Sequence, residues 1–252
     1  MPGLVDGKVA VITGGSSGIG RAAAFALARE GAKAIVIADI RKDPREGGQP
    51  THEALSCEGR FVMCDVSKPA DLQAAVAAAD EFGGLDIMVN NAGVVVMGDF
   101  LEFTEEQYDR QLNINAKGVF FGTQAAAKRM VAKGGGSIIN VSSVLGIVGN
   151  GAVVAYSASK GAIKTITYSA ANYLAAQGVR VNAVHPGVVG TELVTTDFGL
   201  PMEAATQVFP IPIGRPSTAE DVSGTIVFLA SSLSDYMTGS SLVVDGGMIT
   251  SM

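Results

Sequence analysis

The sequence predicts an α/β protein built on a mostly parallel β-sheet with helices covering both faces. Strand-like and helix-like segments alternate along the whole chain, which is the pattern of such a layered fold. A glycine-rich turn also joins the first predicted strand to the first predicted helix. Five chemically distinctive residues each follow a predicted strand: Gly14, Asp39, Asn91, Ser143 and Pro186. Because ligands bind beyond the carboxyl ends of parallel strands, we expect one site at that edge of the sheet.

Apolar and β-branched runs predict the strands, and apolar residues at helical spacing predict the helices between them. The predicted strands are residues 8–12, 33–38, 61–64, 86–89, 137–141, 179–184 and 241–244. The predicted helices are residues 21–30, 69–82, 104–132 and 217–233, with a further helix after Gly151. Residues 41–59 and 146–151 are expected to be irregular connections because glycine and proline punctuate them.

Two segments depart from these regular patterns. The helix predicted over residues 104–132 begins with a capping pattern at Thr104, yet it contains Asn113, Asn115 and Gly118. These are poor residues for the middle of a helix, so something other than helix stability keeps them there. Residues 191–213 carry many apolar residues and three prolines without a clean period, which predicts a lid over a mostly apolar ligand.

Composition restricts the function classes. The 252 residues include 24 acidic and 18 basic residues, with a net charge of −6 and no run of lysine or arginine. Such a chain is not expected to bind nucleic acid or an anionic membrane. Cys57 and Cys64 have no metal-ligand pattern around them, so we expect reduced thiols and no metal. The start resembles no secretory signal and no apolar run is long enough to span a bilayer, which favours a cytoplasmic protein.

The turn Thr13-Gly-Gly-Ser-Ser-Gly-Ile-Gly20 has the features of a phosphate-binding loop. Backbone N–H groups in a turn between a strand and a helix, together with the positive helix end, attract a phosphate. Gly14 would permit the tight turn, Gly18 the approach of a pyrophosphate, and Gly20 close packing of the helix on the strand. The alternative is a glycine-rich turn without a ligand. The residues expected to contact a dinucleotide here are Gly14, Ser16, Ser17, Gly18, Ile19 and Gly20.

Asp39 indicates which dinucleotide is preferred. It stands 19 residues after Gly20 at the end of the second predicted strand, where an acidic residue hydrogen-bonds the adenosine ribose. Its charge would repel a 2′-phosphate, which favours NAD over NADP. Arg41 lies two residues later and can pair with a phosphate, so it weakens this preference.

Two further strand ends have two interpretations each. Asp65, followed by Val66, can cap the approach to the next helix or reach the adenine edge of a cofactor. In Asn90-Asn-Ala-Gly93, small residues leave room for a flat ligand, while the asparagine side chains can tie neighbouring strands together. We expect Asp65, Val66, Asn91, Ala92 and Gly93 to contact the cofactor.

Tyr156 and Lys160 are the candidate proton-transfer pair. On a helix, residues four apart lie on one face, so the phenol and the ammonium would emerge together. A nearby ammonium favours the phenolate and would lower the phenol pKa from its ordinary value near ~10. Ser143, at the end of the strand before this helix, would bring a hydroxyl to the same place. Together these groups can move a proton on or off an alcohol oxygen.

The chain resembles the short-chain dehydrogenase/reductase family along essentially its whole length. The motifs that carry the resemblance are the Thr13–Gly20 turn, Asn90-Asn-Ala-Gly93, Asn115-Ala-Lys-Gly, Ser143, Tyr156-x-x-x-Lys160 and Pro186-Gly187. The resemblance implies a doubly wound Rossmann fold with a seven-stranded sheet, formed by residues 1–252 as one dinucleotide-binding catalytic domain. It also implies a homotetramer built on the two long helices.

The resemblance also assigns roles to individual residues. Tyr156 would be the acid/base, Lys160 would lower its pKa and hold the nicotinamide ribose, and Ser143 would orient the substrate oxygen. Asn115 would anchor a water molecule in a proton relay. The resemblance implies Thr191 and the Val189 backbone near the carboxamide, and it implies cofactor contacts at Pro186 and Gly187. Ser17 stands where NADP-preferring relatives tend to carry a basic residue, which agrees with Asp39.

Three functions fit these observations. The leading one is an NAD-dependent oxidoreductase that interconverts a small, apolar secondary alcohol and a ketone. The second is an NADPH-dependent reductase of 3-oxoacyl thioesters on an acyl carrier protein, with Lys128, Arg129 and Arg215 as candidate carrier contacts. The third is a nucleotide-sensing or scaffold protein, which would have no use for all four catalytic positions. The candidate substrate-pocket residues are Val94, Val144, Leu145, Val153 and Leu193. His185 is interpreted as a strand-end residue without a catalytic role.

Overall fold

The fold is a single seven-stranded sheet, as seen in a computed structural model that describes residues 2–251. All strand pairs are parallel, and the strand order across the sheet is β3-β2-β1-β4-β5-β6-β7. The order reverses direction between β1 and β4, and this point is where a doubly wound sheet opens a crevice for a ligand. The strands are β1 Val9–Thr13, β2 Ala34–Asp39, β3 Glu58–Met63, β4 Ile87–Asn90, β5 Gly136–Val141, β6 Val179–Pro186 and β7 Ser241–Val244.

Helices cover both faces of this sheet. Every residue of β1 and β4 is buried, because a parallel sheet packed on two sides needs apolar side chains on both faces. One core packs α1 and α9 on the sheet, and a second packs α3, α5 and α7 on the opposite face. The helices are α1 Gly18–Arg29, α2 Thr51–Ala54, α3 Pro69–Ala77, α4 Glu105–Leu112, α5 Gly118–Lys133, α6 Leu145–Val148, α7 Val154–Leu174, α8 Ala205–Val208 and α9 Ala219–Ala230.

The seven-stranded doubly wound sheet predicted from the sequence is confirmed, and local differences have identifiable causes. β3 begins at Glu58 rather than at residue 61, because it is an edge strand whose polar, partly exposed residues hide the strand pattern. Residues 41–59, expected to be irregular, therefore contain α2 and the first residues of β3. Residues 146–151 likewise contain most of α6.

The long helix predicted over residues 104–132 is interrupted. Its predicted cap is present: Gln107 N–H donates to Thr104 Oγ1 at 3.2 Å, and Thr104 N–H donates to Gln107 Oε1 at 2.9 Å. A wider π-helical turn then occupies Asn113–Lys117 and separates α4 from α5. Single π-helical turns inside α-helices are frequent at functional sites, which accounts for the poor helix formers at this point.

A third apolar cluster lies under residues 191–213, the predicted lid. This segment follows β6 and consists of a π-helical turn at Leu193–Asp197, a 3₁₀ turn at Met202–Ala204 and α8. Its apolar side chains pack onto residues from the end of β5 and from the C-terminal turn at Met248–Thr250. The buried members of this cluster are Val144, Leu145, Val153, Val188, Leu200, Ala205, Phe209, Ile211 and Met248.

Within residues 2–251, no helix combines the length and the apolar character that crossing a membrane requires.

Candidate active site

A groove of about 570 Å³ runs along the carboxyl edge of the sheet, where the sequence places the site. It lies within the usual size range for small-molecule sites. The predicted site residues that line it are Gly14, Ser17, Gly18, Ile19, Asp39, Asp65, Val66, Asn91, Ala92, Gly93, Ser143, Tyr156, Lys160, Pro186, Gly187, Val189 and Thr191. Ser16, Gly20 and Asn115 were predicted as site residues but lie outside this lining.

Ser16 and Gly20 act behind the groove surface. Ser16 is 1% exposed, and its hydroxyl donates to the Arg41 carbonyl at 2.6 Å, so it fastens the glycine-rich turn to the end of β2. A Cβ atom added at Gly20 would lie 2.2 Å from the Gly14 carbonyl oxygen. Gly20 is therefore required for packing of α1 on the turn, as its predicted role states.

The glycine-rich turn is shaped to hold a flat, anionic ligand. Gly14 has a φ of +63°, a conformation that favours glycine, and a Cβ there would lie 2.9 Å from Ala92 Cα. The turn leads directly into α1, a 12-residue helix whose N-terminus faces the groove at Gly18. Backbone N–H groups at a helix N-terminus bind phosphate, so these residues fit a dinucleotide, and in this structure the Gly18 N–H donates to Glu46 Oε1 at 3.1 Å.

The asparagines at the end of β4, Asn90 within the strand and Asn91 after it, tie the sheet together. Asn91 Nδ2 donates to the carbonyls of Thr13 at 3.0 Å and Gly14 at 3.1 Å. Asn90 Nδ2 donates to Asn140 Oδ1 at 2.9 Å. The interpretation that these side chains join neighbouring strands is therefore correct, and Asn91 lines the groove as well.

Asp39 stands at the end of β2 with its carboxylate held in place. Its oxygens accept backbone N–H groups from Ser16 and Arg41, both at 3.1 Å. Burial raises the pKa of Asp39, and these hydrogen bonds oppose the rise because they favour the carboxylate. Arg41 also lines the groove, so an anion and a cation both border this end of it.

Asp65 caps the turn that leads into α3. It accepts hydrogen bonds from the Ser67 N–H at 3.0 Å and from the Ser67 hydroxyl at 2.7 Å. The hydrogen bond from the Ser67 hydroxyl lowers the pKa of Asp65. Of the two interpretations for Asp65, the capping one matches these contacts, and its place in the groove lining leaves a cofactor contact as a prediction.

Ser143, Tyr156 and Lys160 meet at the centre of the groove. Lys160 Nζ donates to the Val141 carbonyl at 3.0 Å and lies 5.7 Å from the centroid of the Tyr156 ring. Ser143 lies two residues after the end of β5 and is buried. The end of β5 and the first turns of α7 therefore bring a hydroxyl, a phenol and an amine to one place, as the sequence predicts.

Burial dominates the pKa values of the proton-transfer pair in this site, and the lowering of the Tyr156 pKa by Lys160 stays a prediction. Burial raises the pKa of Tyr156 to about 12, while the neighbouring Ser143 hydroxyl opposes part of the rise. Burial also lowers the pKa of Lys160 to about 8. Loss of water disfavours the charged form of each group, the phenolate and the ammonium. At neutral pH the site therefore holds a protonated phenol beside an ammonium.

Asn115 lies in the π-helical turn and is fully buried. Its side chain donates to Ser159 Oγ at 3.0 Å and to the Val94 carbonyl at 3.0 Å, and it accepts the Val94 N–H at 2.9 Å. A Cβ at Gly93 would lie 3.3 Å from Asn115 Oδ1 and 3.4 Å from Lys160 Nζ. Asn115 is thus near Lys160, and its side chain joins α7 to the segment after β4.

A second, smaller cavity of about 60 Å³ adjoins the groove under the lid. Its lining is apolar apart from Ser143 and Tyr156, whose side chains border both spaces. Of the predicted pocket residues, Val144, Leu145 and Leu193 line this cavity, Val94 lines the groove, and Val153 packs in the cluster behind. Val194, Phe198, Leu200 and Phe209 line the cavity from the predicted lid, and the lining residues that the sequence did not indicate are Val95, Val188 and Met248.

His185 has a structural role, in agreement with its interpretation as a strand-end residue. It is fully buried, with Nδ1 3.0 Å from the Ser143 carbonyl and Nε2 3.0 Å from Ser241 Oγ. No group of three or more His, Cys, Asp and Glu residues suited to a metal ion occurs among residues 2–251.

Known proteins share this fold and sequence. Residues 14–249 match a family profile described as enoyl-(acyl carrier protein) reductase. A 3-alpha-(or 20-beta)-hydroxysteroid dehydrogenase of Mycobacterium tuberculosis is 39% identical over 253 residues, covering 100% of this chain and 93% of that protein. An L-rhamnose 1-dehydrogenase (NAD(P)(+)) of Azotobacter vinelandii is 36% identical over 254 residues, covering 99% of each.

A solved structure agrees with the sequence relatives. The crystal structure of a short-chain type dehydrogenase/reductase from Mycobacterium marinum matches with a TM-score of 0.89 at 36% identity, covering 97% of this chain and 96% of that one. The relatives are dehydrogenases of alcohol groups, and this chain is an NAD(P)-dependent oxidoreductase that acts on CH–OH donors. It belongs to the short-chain dehydrogenase/reductase family.

Proposed function

We propose that the protein is an NAD-dependent oxidoreductase that interconverts a small, apolar secondary alcohol and the corresponding ketone. One observation carries this proposal: Ser143 and Tyr156 border both the dinucleotide groove and the apolar cavity. A substrate oxygen between these hydroxyls would place its carbon at the junction of the two spaces. That is the position that hydride transfer requires.

Each catalytic residue has a distinct role in this proposal. A bound nicotinamide dinucleotide supplies or accepts the hydride, and the protein handles the proton. Tyr156 holds the exchangeable proton on its phenol oxygen, and Ser143 orients the substrate oxygen through a hydrogen bond. Lys160, held by the Val141 carbonyl, keeps a cation beside the phenol. Asn115 fixes the backbone next to Lys160 and anchors a water molecule in the proton relay.

The preference for NAD rests on Asp39. Its carboxylate lines the groove at the end of β2, and Ser17 on the opposing turn is neutral. A 2′-phosphate at this point would meet an anion whose position is fixed by two backbone hydrogen bonds. Arg41, which also lines the groove, favours NADP, since its charge can pair with a phosphate.

The apolar cavity supports the substrate class. A volume of about 60 Å³ accommodates about two to four non-hydrogen atoms, given that a water molecule occupies ~30 Å³ in the liquid. Apart from Ser143 and Tyr156, its side chains offer no hydrogen-bond partner for the hydroxyl groups of a sugar such as rhamnose. A short alkyl group fits this lining, because buried hydroxyls without partners are costly.

The acyl-carrier alternative has less support. The basic residues that would contact an acidic carrier include Arg129 and Arg215, and both are engaged in ion pairs, with Asp80 and Asp221 respectively. Their charge is therefore neutralised locally. Two observations favour the acyl-carrier alternative: the name of the matching family profile, and catalytic residues that both functions would share.

We also propose that residues 1–252 form one catalytic domain that assembles as a homotetramer. Four exposed aromatic residues on the long helices support this assembly: Tyr108 on α4, Phe120 on α5, and Tyr168 and Tyr173 on α7. Sedimentation analysis at micromolar concentration tests it, and a monomer would contradict it.

The catalytic assignment is tested with Tyr156→Phe, which removes only the phenol oxygen. We expect kcat to fall by about 10²- to 10⁴-fold on a panel of secondary alcohols and ketones, while NADH affinity is retained. Nicotinamide absorbance measures the first and NADH fluorescence the second. Tyr168→Phe is the matched control, since Tyr168 lies on the same helix but bonds Ser241 outside the groove. Retained turnover in Tyr156→Phe would refute the assignment.

A further inference from the structure

An ion pair in the lining of the groove joins two segments that are distant in sequence. Arg45 lies in residues 41–50, the irregular stretch after β2, which we call the strap. Asp197 ends the π-helical turn Leu193–Asp197, which we call the lid turn. Both residues line the groove, although 152 positions separate them in the chain.

The contact is two-pronged. The two terminal nitrogens of Arg45, Nη1 and Nη2, donate to Asp197 Oδ2 at 2.7 Å and Oδ1 at 2.8 Å. The Arg45 and Asp197 side chains are only 30% and 29% exposed, so the pair is partly shielded from water. Charge-assisted pairs with two parallel hydrogen bonds are stronger than ordinary surface ion pairs.

The strap is fastened to the glycine-rich turn at the other end of the contact. The Arg45 N–H donates to Ser17 Oγ at 2.8 Å, and the Gly18 N–H donates to Glu46 Oε1 at 3.1 Å. Arg21, on the first turn of α1, donates to the Gln49 carbonyl at 2.9 Å. The strap therefore moves together with the loop that is expected to hold the cofactor phosphates.

The lid turn also forms part of the wall of the apolar cavity. Leu193 and Val194 belong to it and line both the groove and the apolar cavity. The backbone bond from Phe198 N–H to the Leu193 carbonyl, at 2.9 Å, closes the turn around Asp197. A displacement of Asp197 would therefore also displace the cavity wall.

We propose that Arg45 and Asp197 form a latch that closes the strap onto the lid turn across the dinucleotide groove, and so controls how fast the dinucleotide enters and leaves. This inference rests on the proposed dinucleotide-dependent function. Both members act through the segments that they hold, as positioning residues. The latch also ties the phosphate-binding turn to the substrate cavity with one contact.

A different role for Arg45 predicts the opposite result for one variant. If Arg45 were simply a phosphate ligand, Asp197 would compete for its guanidinium, and removing the Asp197 charge would slow dinucleotide release. A latch behaves differently, because loss of either partner opens it. Asp197→Asn therefore separates the two roles, whereas Arg45→Gln speeds release in both.

The experiment measures NADH release by stopped-flow fluorescence after mixing the NADH complex with excess ADP-ribose. The chain contains no tryptophan, so NADH emission is seen against a low protein background. We expect Arg45→Gln and Asp197→Asn each to speed release by about three- to tenfold, with association faster as well. Exchange of the charges, with Arg45→Asp and Asp197→Arg combined, should return the release rate to within about twofold of wild type.

Arg215→Gln is the matched control, because Arg215 forms a similar two-pronged pair with Asp221 outside the groove. It should leave NADH release unchanged. Slower release in Asp197→Asn, or rates equal to those of Arg215→Gln in both single variants, would overturn the latch while leaving the proposed function intact. Failure of the wild-type protein to bind NADH would overturn the proposed function and the latch with it.

Discussion

Met248→Ala is expected to shift the preference of the protein toward ketones with longer alkyl chains. Met248 lies on the C-terminal turn, is 1% exposed and forms part of the wall of the 60 Å³ cavity. Truncation to alanine removes three side-chain atoms, which is room for about two to three further carbons of a substrate chain. Each additional buried methylene contributes ~0.8 kcal/mol, or about fourfold in kcat/KM. Two added carbons should therefore raise kcat/KM by about 15-fold in the variant relative to wild type.

The assay compares kcat/KM with NADH across straight-chain 2-alkanones of increasing length. Wild type should reach its maximum at a short chain and then decline, while Met248→Ala should reach its maximum about two carbons later. The variant is also expected to lose about 2–5 kcal/mol of unfolding free energy, so measurements belong well below its melting temperature. Ile249→Ala is the control, since Ile249 packs against the same cluster but does not line the cavity. An unchanged length profile in Met248→Ala, or the same shift in Ile249→Ala, would refute the reasoning.

Three further predictions follow from the contacts around the groove. Asp39→Ala should raise the ratio of kcat/KM with NADP to kcat/KM with NAD by about tenfold or more, because it removes the anion expected to face the 2′-phosphate. A wild type that is already faster with NADPH would overturn the NAD preference. Burial lowers the pKa of Lys160 from 10.5 to about 8, so between these pH values the unfolded state binds a proton that the folded state has released. The unfolding free energy of the wild type should therefore rise by at most about 3 kcal/mol from pH 8 to pH 10.5. Lys160→Met should abolish this rise, as measured by urea titration. An equal pH slope in variant and wild type would contradict this. Gly20→Ala should lower the unfolding free energy by about 1–3 kcal/mol in the same assay, because its Cβ would lie 2.2 Å from the Gly14 carbonyl oxygen; a variant as stable as wild type would show that the turn can shift.

The location of the site at the carboxyl edge of the sheet was predictable from the sequence, because the carboxyl ends of parallel strands lie at the same edge. Once Gly14, Asp39, Asn91 and Ser143 are each placed after a strand, the topology brings them together whatever the side chains between them do. The Tyr156–Lys160 pair needs only the helical repeat to share a face with them. Local patterns of this kind survive in the sequence because each depends on a few neighbouring residues.

The substrate cavity was only partly predictable because no local pattern describes it. Met248 comes from a short C-terminal turn and Phe209 from the end of the lid, and neither segment has a hydrophobic period. Arg45 and Asp197 are similarly invisible, since an arginine in an irregular stretch carries no sign of a partner 152 residues away. Such contacts depend on how the sheet, helices and loops pack in the folded protein and on the space that remains between them. Sequence periodicity cannot report on that gap.

Burial of the proton-transfer pair is a part of the site that residue spacing does not show. Spacing shows that Lys160 is near Tyr156, but it does not show that both groups are taken out of water. In the folded site, burial raises the pKa of the phenol to about 12 and lowers that of the amine to about 8, so each neutral form gains. A site with these values holds its proton on Tyr156 at neutral pH, ready to donate to a ketone oxygen, whereas alcohol oxidation requires that proton to leave first. Lys160 is a second buried group, and it loses its charge just above neutral pH. The Lys160→Met stability profile measures that property directly.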